Sequence, residues 1–410
     1  MAVIVQKYGG TSVGDVPKIK AVARRIQDTH GDGNHVVVVL SAMGRETDRL
    51  LDLALDISDE PDKREMDVLI STGEQVSVSL LAMTLKSLRV NAISLLAHQV
   101  KIETDSAFGR ARIVKIDSDK ILEELSSGKV VIVAGFQGVD DRGDTTTLGR
   151  GGSDTSAVAI AAALKADVCE IYTDVEGVYT TDPNICSEAR KLERISYDEM
   201  LEMASLGARV LQTRSVEFAK KFKVPIHVRS SFQDSTGTIV TEEDKDMESA
   251  VVSGVTYNKD EAKITVTKVP NRPGTASRLF TPISQADIVV DMIIQNVGTD
   301  DLTDLTFTIP KDDFEKALRL VKATAKEINA QDVLADPNIS KVSIIGTGMR
   351  SHSGVAATMF TVLANEGINI MMISTSEIKI SCVIESKYTE LAVRVLHDAF
   401  GLGEKEKISR

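Results

Sequence analysis

The stretch Ala2-Val3-Ile4-Val5-Gln6-Lys7-Tyr8-Gly9-Gly10-Thr11-Ser12 carries, in order, a β-branched run, a lysine, two glycines and two hydroxyls. Such a run predicts a strand, and the glycines behind it let backbone N–H groups approach an anion with no Cβ in the way. Lys7 adds a point charge where phosphate oxygens would lie. The order differs from a Walker loop, in which the lysine follows the glycines. By itself the hexapeptide from Lys7 reads equally as a phosphate cradle or as a Gly-Gly turn beside a surface lysine. Downstream, Asp15 is placed to cap a helix, Pro17 suits its first turn, and Ile19, Val22, Ala23 and Ile26 recur at helical spacing. The turn therefore opens toward a helix N-terminus, whose macrodipole favours an anion.

Working outward, His35-Val36-Val37-Val38-Val39-Leu40 is a continuous apolar strand of the kind buried on both faces, and it ends in Ser41-Ala42-Met43-Gly44. Small residues at the carboxyl end of such a strand leave room for a ligand. A long helical region is predicted from Asp62 to Leu88. It contains Ser71-Thr72-Gly73-Glu74, where Glu74 reads either as a holder of a cationic amino group or as a solvated helix residue. Strands are predicted at Ala92 to Leu96 and Val130 to Ala134, the second followed by Gly135-Phe136-Gln137-Gly138. Strands alternating with helices predict an α/β fold with a mainly parallel sheet sandwiched by helices.

Two further stretches are dense in chemistry. Asp144-Thr145-Thr146-Thr147-Leu148-Gly149-Arg150-Gly151-Gly152-Ser153-Asp154 runs straight into an alanine-rich helix to Leu164. Ser153 or Asp154 would cap that helix, and the planar fork of Arg150 suits a carboxylate. Glu170-Ile171-Tyr172-Thr173-Asp174-Val175-Glu176-Gly177-Val178-Tyr179-Thr180-Thr181-Asp182-Pro183 suits a nucleotide base and ribose, although an ordinary hairpin has the same composition.

Length and composition narrow the classes. At 410 residues the chain exceeds one ordinary core, which predicts two or three domains. A net charge of −12 argues against general nucleic-acid or membrane-surface binding, both of which need basic patches. Cys169, Cys186 and Cys382 have no zinc-like spacing and are odd in number, so a reducing cytoplasm fits. His98, His227 and His352 form no ligand pattern, and no apolar run is expected to span a membrane.

Jointly, Lys7 to Ser12, the Ser41 strand end, Ser71 to Glu74, Gly149 to Asp154 and Tyr172 to Tyr179 resemble the amino-acid kinase family. More closely, they resemble its branch that phosphorylates aspartate. The resemblance implies transfer of the γ-phosphoryl group of ATP to the side-chain carboxylate of L-aspartate, with Mg²⁺ carried by the nucleotide and no separate metal site. It implies catalytic roles for Lys7 and Asp154, and nucleotide contacts at Lys7, Tyr8, Gly9, Gly10, Thr173, Asp174, Tyr179, Asp182 and Arg209. It implies substrate contacts at Ser41, Thr47, Glu74, Arg150, Gly151, Gly152 and Ser153. Tyr8 stands where many members have phenylalanine, and Arg209 where many have lysine. The nearest rivals are enzymes of the same fold acting on N-acetylglutamate, glutamate or UMP, and a sensing protein with a degenerate kinase half.

The kinase part is predicted to span 1–240, with 241–249 a charged linker. Beyond it the chain repeats: Gly274, Phe280, Ile288, Met292 and Ile293 match Gly354, Phe360, Ile368, Met372 and Ile373 at one constant separation. Each copy, 250–340 and 341–410, reads as a ferredoxin-like unit, and the Met371-Met372 pair reads as core. The copies resemble tandem ACT domains, in which one unit is inserted in the other, so the strand Val251 to Tyr257 is open to assignment to the second. That resemblance implies lysine or threonine, or both, as inhibitory effectors, with Asn271, Gly274, Ala276, Gln295, Val355 and Asn369 as their contacts. It further implies a homo-oligomer through the ACT units, and Met247 is placed for an internal start that would yield a separate regulatory subunit.

Overall fold

The computed structural model describes residues 1–208, 210–243, 251–298 and 301–403. They form two compact units. The first holds Met1–Val178, Lys191–Ser205 and the described residues from 210 to 243; the second holds Tyr179–Arg190, Leu206–Ala208 and those from 251 onward.

An eight-stranded sheet forms the centre of the first unit. Its spatial order is Arg194–Ser196, Thr238–Thr241, Ile226–Ser230, Val168–Thr173, Val3–Tyr8, His35–Leu40, Val130–Ala134 and Ala92–Leu95. Every neighbouring pair is parallel except Ile226–Ser230 with Thr238–Thr241, so the expected mainly parallel sheet is borne out. The strand that carries Lys7 lies centrally, with Lys7 opposite Val39 on one side and Ile171 on the other. Alternation then sends Lys7 to one face and Gln6 and Tyr8 to the other. On the Tyr8 face, the helices Val16–Gly31 and Thr72–Ser87 bury Ile19, Val22, Ile26, Val78, Leu81 and Leu85 against the sheet. The helix Gly152–Leu164 covers the Lys7 face and is buried almost all round, as its alanine-rich sequence demands.

The long helical region predicted from Asp62 to Leu88 is made of two helices, Lys63–Ile70 and Thr72–Ser87, which meet at Ser71. By length and composition the stretch 63–87 could cross a membrane, yet half of its most apolar window is buried in this unit, and that packing accounts for its apolar character. A second sheet of Ile113–Ile116, Ile102–Thr104, Gln137–Val139 and Thr145–Thr147 was not expected. Strands of three or four residues give no readable alternation.

The second unit holds two antiparallel four-stranded sheets, each with two helices. One is ordered Ile293–Val297, Leu302–Pro310, Glu261–Pro270 and Asp332–Asp336; the other Gly254–Asn258, Ile339–Ile345, Lys379–Glu385 and Met372–Thr375. The strand left open by the sequence thus belongs to the second copy, pairing Gly254–Asn258 with Ile345–Lys341. An ion cluster centred on buried Lys341 joins the copies. Lys341, 3% exposed, reaches Glu261 Oε1 at 2.5 Å and also Asp291 Oδ2. Beside it Met292, Ile339, Met372 and Val383 form a small shared core, which places Met372 as expected.

A linear division of the chain misses two excursions, Tyr179–Arg190 and Leu206–Ala208. Tyr179–Arg190 belongs to the second unit because Thr180 accepts from Val255 N (2.7 Å), Asp182 Oδ2 from the Tyr257 hydroxyl (2.9 Å), and Thr180 Oγ1 meets buried His397 Nε2 (2.9 Å). Cys169, Cys186 and Cys382 are all buried and free.

Candidate active site

The carboxyl ends of the central strands bring the separated motifs together. Lys7 Nζ lies 2.6 Å from Asp154 Oδ1, and both side chains are about nine-tenths buried. Asp154 sits in the first turn of Gly152–Leu164, so the helix delivers it to the strand end. A buried pair of this kind fixes the ammonium group in place, at a desolvation cost that Coulomb attraction offsets only with close geometry.

The glycines are required by interlocking backbones. A Cβ on Gly10 would lie 2.8 Å from the Ala42 carbonyl oxygen and 3.0 Å from that of Gly44, while Gly44 N donates to Gly10 O at 3.0 Å. The turn after Val3–Tyr8 and the turn after His35–Leu40 are therefore one assembly. In the third motif, Gly149 and Gly151 both have positive φ (78° and 67°), and Gly151 caps the helix in the left-handed region. Its Cα is covered by the Gln212 side chain. Ser153 packs on Gly135, whose Cβ would meet Ser153 Oγ at 2.9 Å.

Glu74 carries a clear electrostatic signal. It is 2% exposed; Oε1 accepts from Ala42 N at 2.9 Å, and buried Oε2 has no hydrogen-bond partner. Burial pushes its carboxyl up to about 8, with the Ala42 N–H pulling the other way. An unsatisfied buried carboxylate is costly, and an ammonium group is the ligand that would satisfy it. Gly73 lets the helix come this close, since a Cβ there would lie 2.7 Å from Ala42 Cβ. Ser77, which the sequence reading did not single out, fixes the same turn by donating to Ser41 O at 2.9 Å.

The remaining expected residues are distributed as follows. Ser41 and Thr47 are half-buried at and just after the second strand end, and Arg150 is exposed on its glycine turn. Thr173 ends its strand beside the first, with its hydroxyl donating to Asp174 Oδ1 at 3.0 Å. The Tyr8 side chain is turned away from Lys7 into the core, stacked on Tyr172 (centroids 4.6 Å apart, 8° between planes), and its carbonyl accepts from Ser41 N at 3.2 Å. Tyr179 and Asp182 fall in the second unit, where Asp182 also accepts from Asn184 N at 2.9 Å. Arg209 and Met247 lie outside the described residues. In the second unit Gly274 and Gly354 occupy the same left-handed cap (φ 89° and 93°) before the helices that begin with Thr275 and Val355. Ala276 is half-buried and Val355 buried in those first turns, while Asn271, Gln295 and Asn369 are exposed.

Open α/β sheets bind ligands where neighbouring strands lead off in opposite directions. Here that point lies beside Val3–Tyr8, with a cation on one side and an unsatisfied anion on the other, which is the arrangement of a phosphotransferase for a small zwitterionic acceptor. Comparison with known proteins agrees. The amino acid kinase family matches residues 2–230, and the ACT domain matches 264–324 and 342–400. The aspartate kinase of Pseudomonas putida is 57% identical over 403 residues, 98% of each chain. The crystal structure of Escherichia coli aspartokinase III with aspartate and ADP (R-state) is similar with a TM-score of 0.80 and 25% identity, covering 97% of this chain and 99% of that one. Its complex with lysine and aspartate (T-state) gives 0.77 and 26%, with the same coverage. The chain belongs to the amino acid kinase family.

Proposed function

We propose that this chain is an aspartate kinase, converting ATP and L-aspartate to ADP and 4-phospho-L-aspartate. The observation that carries the reading is the unpartnered Glu74 carboxylate within the turn assembly that also holds the Lys7–Asp154 pair. Glu74 takes the α-amino group of the substrate, and the fork of Arg150 takes its α-carboxylate. The side-chain carboxylate is then directed at the γ-phosphorus. Being ionised at neutral pH, it needs no general base. A bond forms from its oxygen to phosphorus as the bond from phosphorus to the β,γ-bridging oxygen breaks, and ADP departs with that electron pair.

The protein's contribution is positioning and charge neutralisation. Lys7, oriented by Asp154, meets the charge on the transferring group, and the glycine turns let N–H groups approach the phosphates. Thr173 and Asp174 hold the nucleotide, and Mg²⁺ arrives as part of MgATP. Trapping the acyl phosphate with hydroxylamine tests the assignment. Hydroxamate is expected with aspartate and not with glutamate, and no acyl transfer is expected with UMP; equal or greater product from glutamate would overturn it.

The tandem ACT units support feedback control by an amino acid, and E. coli aspartokinase III has a lysine-bound T-state. Lysine, threonine or the two together are the proposed effectors, acting at the glycine caps of the ACT helices in an oligomer assembled through these units in the cytoplasm. An effector inhibits only if it binds one conformation better than the other. Initial rates with lysine and threonine, singly and together, are expected to fall at least severalfold in one of the three conditions; unchanged rates in all three would remove the regulatory assignment.

A further inference from the structure

A buried carboxylate with no part in the chemistry above sits behind the turn that presents Arg150. Asp67, on the helix Lys63–Ile70, has no solvent exposure. Its Oδ1 and Oδ2 accept from Gly109 N at 3.0 and 2.9 Å, Oδ2 accepts from Thr147 N at 2.8 Å, and Oδ1 from Thr147 Oγ1 at 2.7 Å. All these donors are neutral. Burial pushes the carboxyl above its ordinary range, and the same donors oppose the shift.

A solitary buried anion costs more than a hydrophobic residue of similar size would, so its placement calls for a reason beyond packing. What it holds is specific. Thr147 ends the strand Thr145–Thr147, and Leu148-Gly149-Arg150 follow directly. The same segment is held on a second side by Arg214, which donates Nη1 to Leu148 O at 2.8 Å and Nη2 to Ala111 O at 3.0 Å. Ala111 N in turn donates to Thr147 O at 2.8 Å. The backbone leading into the turn is thus fixed atom by atom, while the Arg150 side chain at its tip is exposed.

We propose that Asp67 is a positioning residue for the amino-acid substrate: by pinning Thr147 and Gly109 it sets where the glycine turn presents Arg150 to the substrate's α-carboxylate. This rests on the role given to Arg150 above. Misplacing a substrate-holding group by about 1 Å can cost up to roughly a hundredfold in rate or affinity, and Asp67 is the link whose loss shifts this turn without touching the ligand.

The test uses the full chain with Asp67→Asn, an isosteric change that sets an amide NH₂ against the Gly109 or Thr147 N–H. Expected are a KM for aspartate raised about tenfold and a KM for ATP within about twofold of the parent. A purely structural role would lower the melting temperature and the active fraction while leaving the aspartate KM unchanged, and that result would overturn the proposal. Arg150→Ala completes the cycle. If Asp67 acts through Arg150, the double variant has the aspartate KM of Arg150→Ala alone; additive effects would sink the positioning role while leaving Arg150 in place. If Arg150→Ala itself leaves that KM unchanged, the role of Arg150 fails, and the proposal fails with it. Should Asp67→Asn not fold, Thr147→Val removes one donor only and is expected to raise the aspartate KM about threefold, with Thr147→Ser near the parent; no change with Thr147→Val would count against the proposal.

Discussion

Lys7→Met is expected to lower kcat by roughly a thousandfold, about 4 kcal/mol of transition-state stabilisation. Methionine keeps the length and the apolar stem of the side chain and removes only the charge. The charge matters because negative charge spreads over the transferring group and the leaving oxygen as the bridging bond breaks, and an ammonium group held 2.6 Å from Asp154 cannot swing away from that position. The change has a second consequence. It leaves Asp154 buried without its cation, which costs several kcal/mol in pairs of this kind, so a melting temperature below that of the parent is also expected. Lys7→Met combined with Asp154→Asn separates the two effects: the double variant should regain most of the lost stability and none of the lost turnover. ADP release with aspartate, followed at saturating MgATP, is the measurement, and turnover near the parental rate in Lys7→Met would remove the lysine from the mechanism.

How much of this could be read from the chain alone follows the range of each interaction. Val3–Tyr8 and His35–Leu40 were legible because each is rich in β-branched residues and ends in small ones, and both lie in the sheet as expected. The repeat in the second half was legible because the same residues recur in the same order. Illegible features depend on which chain segment lies across from which. That Tyr8 faces the core while Lys7 faces Asp154 is parity along one strand, yet which parity is inward is set by the helices that pack there. The departure of Tyr179–Arg190 to the second unit rests on contacts with Val255, Tyr257 and His397, far along the sequence. Asp67 carried a faint signal, a carboxylate in the apolar run Met66-Asp67-Val68-Leu69-Ile70, but its partners Gly109 and Thr147 become neighbours only through the small sheet. Glu74 could be read two ways from sequence, and its burial removes the solvated one.

Glu74→Gln is expected to weaken aspartate binding and to stabilise the empty protein at alkaline pH, two effects of opposite sign from one substitution. Glutamine fills the same volume and keeps an oxygen for the Ala42 N–H, but it offers no negative charge to an ammonium group. Above pH 8, where the parent's carboxyl is ionised, the aspartate KM should rise on the order of a hundredfold, the value of a buried charge-assisted hydrogen bond of about 2.7 kcal/mol. The parent should show a pH dependence that the variant lacks. With the Glu74 carboxyl pushed up to about 8, only its ionised fraction binds the ammonium group, so the aspartate KM falls as pH rises from 6 to 8, by roughly fiftyfold, and then levels off. Stability runs the other way. The unfolded carboxyl loses its proton near the ordinary 4.5 and the folded one near 8, so between these values the native state binds the extra proton and stability declines as pH rises through that window. The variant is neutral throughout and has no such slope. At pH 8.5 it should therefore be the more stable of the two by several kcal/mol, while at pH 4 the two should melt nearly together. Adding aspartate at about a hundred times the parent's Kd should raise the parent's melting temperature and move the variant's far less, because the variant binds it about a hundredfold more weakly. A variant that binds aspartate normally, or a parent whose aspartate KM is flat from pH 6 to 8, would show that the buried carboxylate is not the ammonium site.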